Sequence, residues 1–330
     1  MTFGSTFLRH PWRFPLPDDG EPWGERLLML HLPGGPYAVS GLSPAQEASV
    51  ASAFAGFLAP PAGGREPAGG PAAARGRPVA VGLRRAAAGD FLARDVRGWE
   101  YALDSDHAPA AVCLAGLGIM GRLDWQPALG GMLWTPEDGG ALFPGVFENF
   151  LRVLAAYRLL ELGGVILHSA GVVRGGGAYL FLGRSGAGKS TVARLSLERG
   201  AEVLSDDLNA LLPAAAGAAG PAACLVHKLP FTGDLGGRSA ARPAVPLAAL
   251  VRLAQDTRDR CRPLSRAEAL ACLLTCAPFV NADPHRRGRL ETVLLELLGL
   301  PAGRAPAAFE LRFSLAGGFW SILDGNHEHH

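Results

Sequence analysis

The feature that most constrains this chain is the glycine-rich segment Gly183–Ser190, which lies between a strand-like run and a helix-like run. It matches the pattern G-x-x-x-x-G-K-[ST] at every fixed position. The apolar run Ala178–Leu182 precedes it, and a helical pattern from Thr191 to Arg199 follows, ended by Gly200. Strand, loop and helix in this order are what the motif requires. The sequence therefore predicts a phosphate-binding loop in an α/β domain.

The composition of the loop follows from the chemistry of a triphosphate. Glycines let several backbone N–H groups turn toward the phosphates, and the helix beginning near Gly188 aims its N-terminal dipole at them. We expect Lys189 to reach the β- and γ-phosphates and Ser190 to bind Mg²⁺ through its hydroxyl. The alternative is a chance match in a chain with 44 glycines. The predicted nucleotide-binding residues are Gly183, Arg184, Ser185, Gly186, Ala187, Gly188, Lys189, Ser190 and Thr191, and the predicted cofactors are ATP and Mg²⁺.

A second candidate feature is the acidic pair Asp206-Asp207, which ends the short run Glu202–Ser205. One helix separates this run from the loop, so we expect the two strands to be neighbours whose carboxyl ends face the same crevice. One carboxylate would bind Mg²⁺, and the other would orient or deprotonate an attacking hydroxyl. Which carboxylate has which role stays open. The alternative for the pair is a solvated turn or a helix cap.

Three features together resemble the catalytic domain of the HPr kinase/phosphorylase family and, more distantly, ATP-dependent phosphoenolpyruvate carboxykinase. They are His168 in the run Leu167–Gly171, the loop itself, and the closely following Asp206-Asp207. The resemblance implies a serine kinase with His168 near the γ-phosphate. It also implies rings of subunits, and hence a homo-oligomer. Without it, a lone histidine at a strand end is most often structural.

Carried onto this sequence, the resemblance implies the catalytic residues Asp206, Asp207, His168 and Lys189 and the metal ligands Ser190, Asp206 and Asp207. Two departures stand out. Thr191 takes the place where that family's protein kinases carry Glu, and we find no downstream glycine-rich signature. Both put the reverse, phosphorylase reaction in doubt.

The predicted fold class is α/β. We expect a P-loop kinase domain of the HPr kinase and carboxykinase type at 147–330, and a smaller N-terminal α+β accessory domain at 1–146. Within the latter, 59–78 is rich in Pro, Ala and Gly and predicts a flexible loop. The expected function is ATP- and Mg²⁺-dependent transfer of the γ-phosphoryl group to a hydroxyl, such as a serine of a peptide or protein. Two alternatives stay open: a nucleotide-binding regulatory or scaffold protein without transfer, and a small-molecule kinase.

Charge and hydropathy exclude some partners from our expectations. The net charge is +1, from 31 basic and 30 acidic side chains, and gives no reason to expect nucleic acid or an anionic membrane. No run approaches the roughly 18–20 apolar residues of a spanning helix, and residues 1–17 lack a signal-peptide core. We therefore expect a cytoplasmic protein. Cys272 and Cys276 share a helix face and suggest small core residues rather than metal ligands.

The remaining patterns predict the scaffold. Ser43 and Ser265 are candidate helix caps, and the glycine-rich segment 174–177 predicts a hairpin turn. Phe309–Phe313 and Phe319–Leu323 look like closing strands.

Two patterns in the second half stay ambiguous. Arg258, Arg260 and Arg262 alternate, which suits either a solvated basic edge or a phosphate contact. The glycine-rich segment 230–237 suits either a mobile substrate flap or an ordinary loop.

Overall fold

The protein is described here by a computed structural model, which covers residues 20–58, 77–87, 103–116, 118–214, 224–231, 233, 235, 243–299, 306–315 and 317–327. The chain forms two compact units that divide between Arg158 and Leu159. The boundary expected from the sequence, between residues 146 and 147, lies twelve residues earlier in the same helix, Phe143–Glu161. The loop predicted at 59–78 lies outside the described residues, apart from its last two positions.

The first unit contains a seven-stranded sheet with the strand order β1-β2-β3-β7-β6-β5-β4. All neighbouring strands are antiparallel except the parallel pairs β2–β3 and β3–β7. The elements are β1 (Arg26–Leu32), β2 (Gly35–Leu42), α1 (Pro44–Ala53), a 3₁₀ turn (Ala55–Phe57), β3 (Val79–Arg85), β4 (Asp104–Ala108), β5 (Ala111–Gly116), β6 (Ile119–Asp124), β7 (Gly130–Thr135) and α2 (Phe143–Glu161).

Helix α2 packs its aromatic face on this sheet. The Phe150 ring occupies the space in which Cβ atoms of Gly121 and Gly131 would lie. Helix α1 begins with a capping box, in which the Ser43 hydroxyl accepts from the Gln46 N–H and the Gln46 side chain accepts from the Ser43 N–H. The predicted cap at Ser43 is confirmed.

The second unit contains an eight-stranded sheet and four helices among its described residues. The elements are β8 (Val165–Arg174), β9 (Gly177–Leu182), α3 (Lys189–Leu197), β10 (Glu202–Ser205), β11 (Leu208–Pro213), β12 (Cys224–Lys228), β13 (Ala244–Gln255), β14 (Arg260–Pro263), α4 (Arg266–Cys276), a 3₁₀ turn (Val280–Ala282), α5 (Arg287–Leu298), β15 (Ala307–Phe313) and α6 (Phe319–His327).

Strand β9 leads into the glycine-rich loop and lies between β8, to which it is antiparallel, and β13, to which it is parallel. Gly175 and Gly176 turn the β8–β9 hairpin with φ of 58° and 83°, so the predicted hairpin is confirmed. Strand β13 also pairs with β12, β12 with β11, and β11 with β8. These pairings close a ring of five strands and fix the ends of β8, β9 and β11 relative to one another.

The end of the chain corrects one prediction. Residues 319–323 begin helix α6 and do not form a strand. Phe319, Trp320 and Leu323 recur at helical rather than alternating spacing and pack into the apolar core beside Phe181 and Phe313. The Trp320 indole also donates to the Ser196 hydroxyl at 3.0 Å. The strand predicted at 309–313 and the cap at Ser265 are confirmed.

No helix in the described part of the chain combines the length and apolar character needed to cross a bilayer.

Candidate functional site

The glycine-rich loop connects β9 to α3 through backbone conformations that favour glycine. Gly186 has φ of 77°, and Gly188, the N-cap of α3, has φ of 100°. A Cβ atom at Gly188 would lie 2.5 Å from Cζ of Phe313, which packs directly beneath the loop. Both the conformation and the close packing therefore require glycine at position 188.

Lys189, the first residue of α3, is turned back into this loop. Its side chain is buried, and Nζ donates to the carbonyl oxygens of Gly183 at 3.0 Å and Arg184 at 3.2 Å. Burial lowers the pKa of Lys189 below its ordinary value. The cation is thus held within the curve of the loop, where a phosphate group would meet it.

Gln255 also contacts the glycine-rich loop and was not predicted from the sequence. It ends β13, and its Nε2 donates to the carbonyl oxygen of Gly186 at 2.7 Å. Gln255 lies 69 residues after Gly186 and belongs to no recognisable motif. Only the parallel pairing of β13 with β9 brings Gln255 to the loop.

The acidic pair Asp206-Asp207 interrupts the pairing along β8. Strand β10 pairs with the second half of β8, and β11 pairs with its first half from Leu208 opposite His168. The Ser205 hydroxyl accepts from the N–H groups of Asp207 at 3.2 Å and Leu208 at 3.3 Å, and so closes the turn. The turn places both carboxylates beside the carboxyl end of β9.

This arrangement corrects the expected strand order. Strands β9 and β10 are not neighbours, because β8 lies between them. Both are antiparallel to β8 and hence run in the same direction. Their carboxyl ends therefore still lie at the same edge of the sheet, although the reason given for this from sequence was wrong.

The two carboxylates differ in environment. Asp206 is buried, its Oδ1 accepts from the Leu235 N–H at 3.4 Å, and its Oδ2 has no hydrogen-bond partner among the described residues. Asp207 is more exposed, and its Oδ1 lies 3.6 Å from Nε2 of His168. The pair thus offers one buried oxygen with unused acceptor capacity and one carboxylate with a histidine beside it.

Gly233 comes from the segment 230–237, which the sequence analysis interpreted as a flap or an ordinary loop. A Cβ atom at Gly233 would lie 2.2 Å from Oδ1 of Asp206. With the Leu235 contact, this shows that the segment reaches the acidic pair.

The loop and the acidic turn line one cleft of about 590 Å³. The cleft brings together most of the predicted site residues, and Gln255 and Gly233 in addition. Three predicted residues do not line it: Gly183 and Ala187 pack against each other, and Arg184 is exposed. The lining residues are His168, Ser185, Gly186, Gly188, Lys189, Ser190, Thr191, Asp206, Asp207, Gly233 and Gln255.

The donor set fits a magnesium nucleotide. Mg²⁺ commonly takes one or two carboxylates, with phosphate oxygens and waters completing its shell. Asp206 supplies a buried carboxylate oxygen to which none of the described residues donates, and Ser190 lines the same cleft. Over the described residues, no group of three or more His, Cys, Asp or Glu side chains is gathered.

Cys272 and Cys276 lie behind the loop on helix α4. Both are buried, as expected of small core residues. Hydrogen bonds from the Cys272 thiol and the Gly183 N–H, with the Lys189 charge nearby, lower the pKa of Cys276. Cys276 therefore contacts the first residue of the loop, which helical spacing alone could not indicate.

The three alternating arginines do not belong to this cleft. Arg262 lies on the edge strand β14 and pairs with Glu268 at 2.8 Å and Glu310 at 3.3 Å. Arg260 and Arg258 do not line the cleft either. The basic-edge interpretation fits this position.

Comparison with protein families assigns this region. The family model for SynChlorMet cassette protein ScmC matches residues 149–326, more than half of the 330-residue chain. The chain belongs to the ScmC family. No curated protein matches the chain.

The ScmC match overturns the family resemblance drawn from sequence. The assignment to the HPr kinase/phosphorylase family, and more distantly to phosphoenolpyruvate carboxykinase, was wrong. It depended on about forty residues, His168–Asp207, around a loop motif that unrelated nucleotide-binding proteins share. The ScmC model covers almost the whole second unit and so includes elements that the short resemblance left out. The homo-oligomer implied by that resemblance loses its basis as well.

Proposed function

We propose that this ScmC-family chain is an ATP- and Mg²⁺-dependent phosphotransferase whose second unit acts as a P-loop kinase domain. Its acceptor is a hydroxyl group, and we assign a serine of a peptide or protein. A cytoplasmic location, where ATP is available, belongs to the same proposal. The observation that carries it is the cleft in which Lys189, Ser190, His168 and the two aspartates meet.

The loop residues would bind the triphosphate. Gly186 and Gly188 leave space and turn the backbone toward the cleft, and the N-terminus of α3 adds its dipole. Lys189 would exchange its two carbonyl contacts for oxygens of the β- and γ-phosphates. Because Lys189 already lies in the loop, little side-chain rearrangement is needed.

Ser190 and Asp206 would hold the metal. Ser190 is the second residue of α3, and Asp206 lines the same cleft with an oxygen that has no partner among the described residues. When bound, Mg²⁺ supplies positive charge that offsets the charge of the phosphoryl oxygens. This division leaves Asp207 for the acceptor.

Asp207 would accept the proton of the attacking hydroxyl. The O–H bond breaks as an O–P bond forms, the bond between the γ-phosphorus and its bridging oxygen breaks, and ADP leaves. His168, 3.6 Å from the carboxylate, would share the proton and orient Asp207. The two aspartates thus have different roles because their surroundings differ.

The test is transfer of label from [γ-³²P]ATP with Mg²⁺ to lysate proteins, candidate peptides and free serine. Wild type is compared with Lys189→Ala and Asp207→Asn. The control is Glu198→Gln, which removes a charge at the C-cap of α3. We expect label on a polypeptide with wild type and the control only, and general-base loss to reduce kcat by about 100- to 10,000-fold in Asp207→Asn.

Two outcomes would contradict this assignment. Label on free serine or another metabolite, but on no polypeptide, would make the chain a small-molecule kinase. ATP binding that Lys189→Ala abolishes, without any labelled acceptor, would leave a nucleotide-binding regulatory or scaffold protein.

A further inference from the structure

We infer that Asn209 is a positioning residue that sets the distance between the Asp206-Asp207 turn and strand β8, and thereby between Asp207 and His168. Asn209 is the second residue of β11 and is not one of the residues that line the cleft. The inference rests on the proposed function, because it assigns a task to Asn209 within that site.

The side-chain amide of Asn209 bridges both sides of the turn. Its Nδ2 donates to the Ser169 carbonyl oxygen at 2.7 Å and to the Ser169 hydroxyl at 3.1 Å. A third, longer contact reaches the Ser205 carbonyl oxygen at 3.4 Å. Ser169 belongs to β8, and Ser205 ends β10 immediately before the acidic pair. One amide group therefore holds the strand that carries His168 and the turn that carries the aspartates.

The backbone completes this connection. The Ser169 N–H donates to the Asp207 carbonyl oxygen at 2.9 Å. Ser169 follows His168 directly, so its two backbone hydrogen bonds fix the segment from which the histidine side chain projects. The separation of 3.6 Å between His168 Nε2 and Asp207 Oδ1 depends on this segment.

Asn209 is an unfavourable residue for the core unless its donors are needed. It is fully buried, and its Oδ1 has no hydrogen-bond partner among the described residues. A buried amide oxygen without a partner reduces stability, and an apolar residue of similar shape would avoid that loss. A Cβ atom at Gly171 would lie 2.4 Å from Oδ1, so Gly171 leaves the room that Asn209 needs. The chain thus accommodates a polar group whose Nδ2 serves the turn.

Asn209→Leu and Asn209→Ala separate positioning from simple packing. Leucine has nearly the shape of asparagine but no donor, so it can fill the core without holding the turn. Leu211→Ala is the matched control, because Leu211 is buried on the same strand and the same sheet face but further from the turn. It weakens β11 and leaves the amide bridge intact.

Two measurements on the full chain report the bridge. Amide hydrogen exchange follows the protected N–H groups of Ser169 and Leu208 without any ligand. Binding of Mn²⁺ in the presence of ATP, followed by electron paramagnetic resonance, reports the metal site. We expect both Asn209 variants to exchange these amides at least about 10-fold faster and to bind Mn²⁺ about 10-fold more weakly, while Leu211→Ala, which also weakens β11, keeps its Mn²⁺ affinity within about two-fold.

The outcomes separate this inference from the proposed function. Unchanged exchange and Mn²⁺ affinity in Asn209→Leu, with intact binding by wild type, would overturn the positioning role alone. Absence of Mn²⁺ and ATP binding by wild type would overturn the proposed function. Where phosphoryl transfer is measurable, a positioning role also predicts a lower kcat with a nearly unchanged KM for ATP.

Discussion

Gln46 in the first unit and Asp206 in the second are both buried polar residues, but their surroundings differ. In the first unit, Gln46 is fully buried and satisfied at both ends: Oε1 accepts from Ser43, and Nε2 donates to the Glu137 carbonyl oxygen at 2.8 Å. In the second unit, Asp206 is similarly buried, yet its Oδ2 has no hydrogen-bond partner among the described residues. Gln46 fixes the start of a helix, whereas Asp206 faces a cleft.

The comparison of Gln46 with Asp206 distinguishes a buried group that stabilises the fold from one that we expect to bind a ligand. A satisfied buried amide contributes to stability, and an unsatisfied buried carboxylate reduces it. Such a cost is expected where a ligand supplies the missing contact. The same contrast appears in the glycines, since Gly35 turns a hairpin in open space and Gly188 turns a loop packed against Phe313.

The largest effect on nucleotide binding is expected from Gly188→Ala. The left-handed conformation, φ of 100°, and the contact at 2.5 Å with Phe313 both oppose a side chain. We expect loss of about 2 kcal/mol of stability in the second unit. Displacement of the loop should also weaken ATP affinity by on the order of 100-fold. Isothermal titration calorimetry measures the affinity, and hydrogen exchange gives the stability of each unit.

Gly35→Ala is the matched control in the first unit. Its φ of 121° also disfavours alanine, but no atom lies within 4 Å of the added Cβ. It should cost about 1 to 2 kcal/mol in the first unit and leave ATP affinity unchanged. Equal ATP affinity in the two variants would remove the functional contrast between these glycines.

The residues of the candidate site were easier to find from the sequence than the strand order that brings them together. The loop motif and the acidic pair each lie within a few consecutive residues, and local spacing alone identifies such groups. The hairpin at Gly175-Gly176 and the caps at Ser43 and Ser265 were predictable for the same reason. Their conformations depend on immediate neighbours.

Features that depend on distant pairing could not be predicted. Strand β8 lies between β9 and β10 because β9 pairs with one edge of β8 and β10 pairs with the other edge. Gln255 and Cys276 reach the loop through the pairing of β13 and the packing of α4. Residues 319–323, which begin α6, were mistaken for a strand because a short apolar run does not distinguish the two structures.

Acidification should destabilise the second unit through His227. Burial lowers the pKa of His227 to about 4, from an ordinary value of 6.5. Between these values the unfolded chain takes up a proton that the folded chain does not, so stability is lost as the pH falls. We expect the free energy of unfolding to drop by about 3 kcal/mol from pH 7 to pH 4. Urea unfolding of wild type and His227→Leu measures the difference.

The control for this prediction is His285→Gln, which removes an exposed histidine from the same unit. It should retain the full loss on acidification. If His227→Leu loses as much unfolding free energy between pH 7 and pH 4 as wild type does, the acid sensitivity belongs to other groups.

Gln46→Ala should destabilise the first unit only. It leaves the Ser43 N–H and the Glu137 carbonyl oxygen without their partner in a buried position. We expect a loss of about 2 kcal/mol, seen as faster amide exchange in α1 and β7, with unchanged ATP affinity. Ser49→Ala, on the same helix as Gln46, is the milder comparison. It removes a half-buried hydrogen bond from the Ser49 hydroxyl to the Gly139 carbonyl oxygen. Weaker ATP binding in Gln46→Ala would show that the two units are coupled.

The smallest effect has the opposite sign. Asp206→Asn retains the shape of the side chain and replaces a buried carboxylate whose Oδ2 has no partner in the described part of the chain. We therefore expect the second unit to gain about 1 kcal/mol of stability while Mg²⁺-dependent ATP binding becomes weaker. Urea unfolding and Mn²⁺ titration on the same preparation measure both changes.

Asp324→Asn is the control, since it breaks an exposed ion pair with Arg174 and should give little change in either. A stability loss in Asp206→Asn would mean that the carboxylate is satisfied within the fold, and the contrast with Gln46 would then disappear.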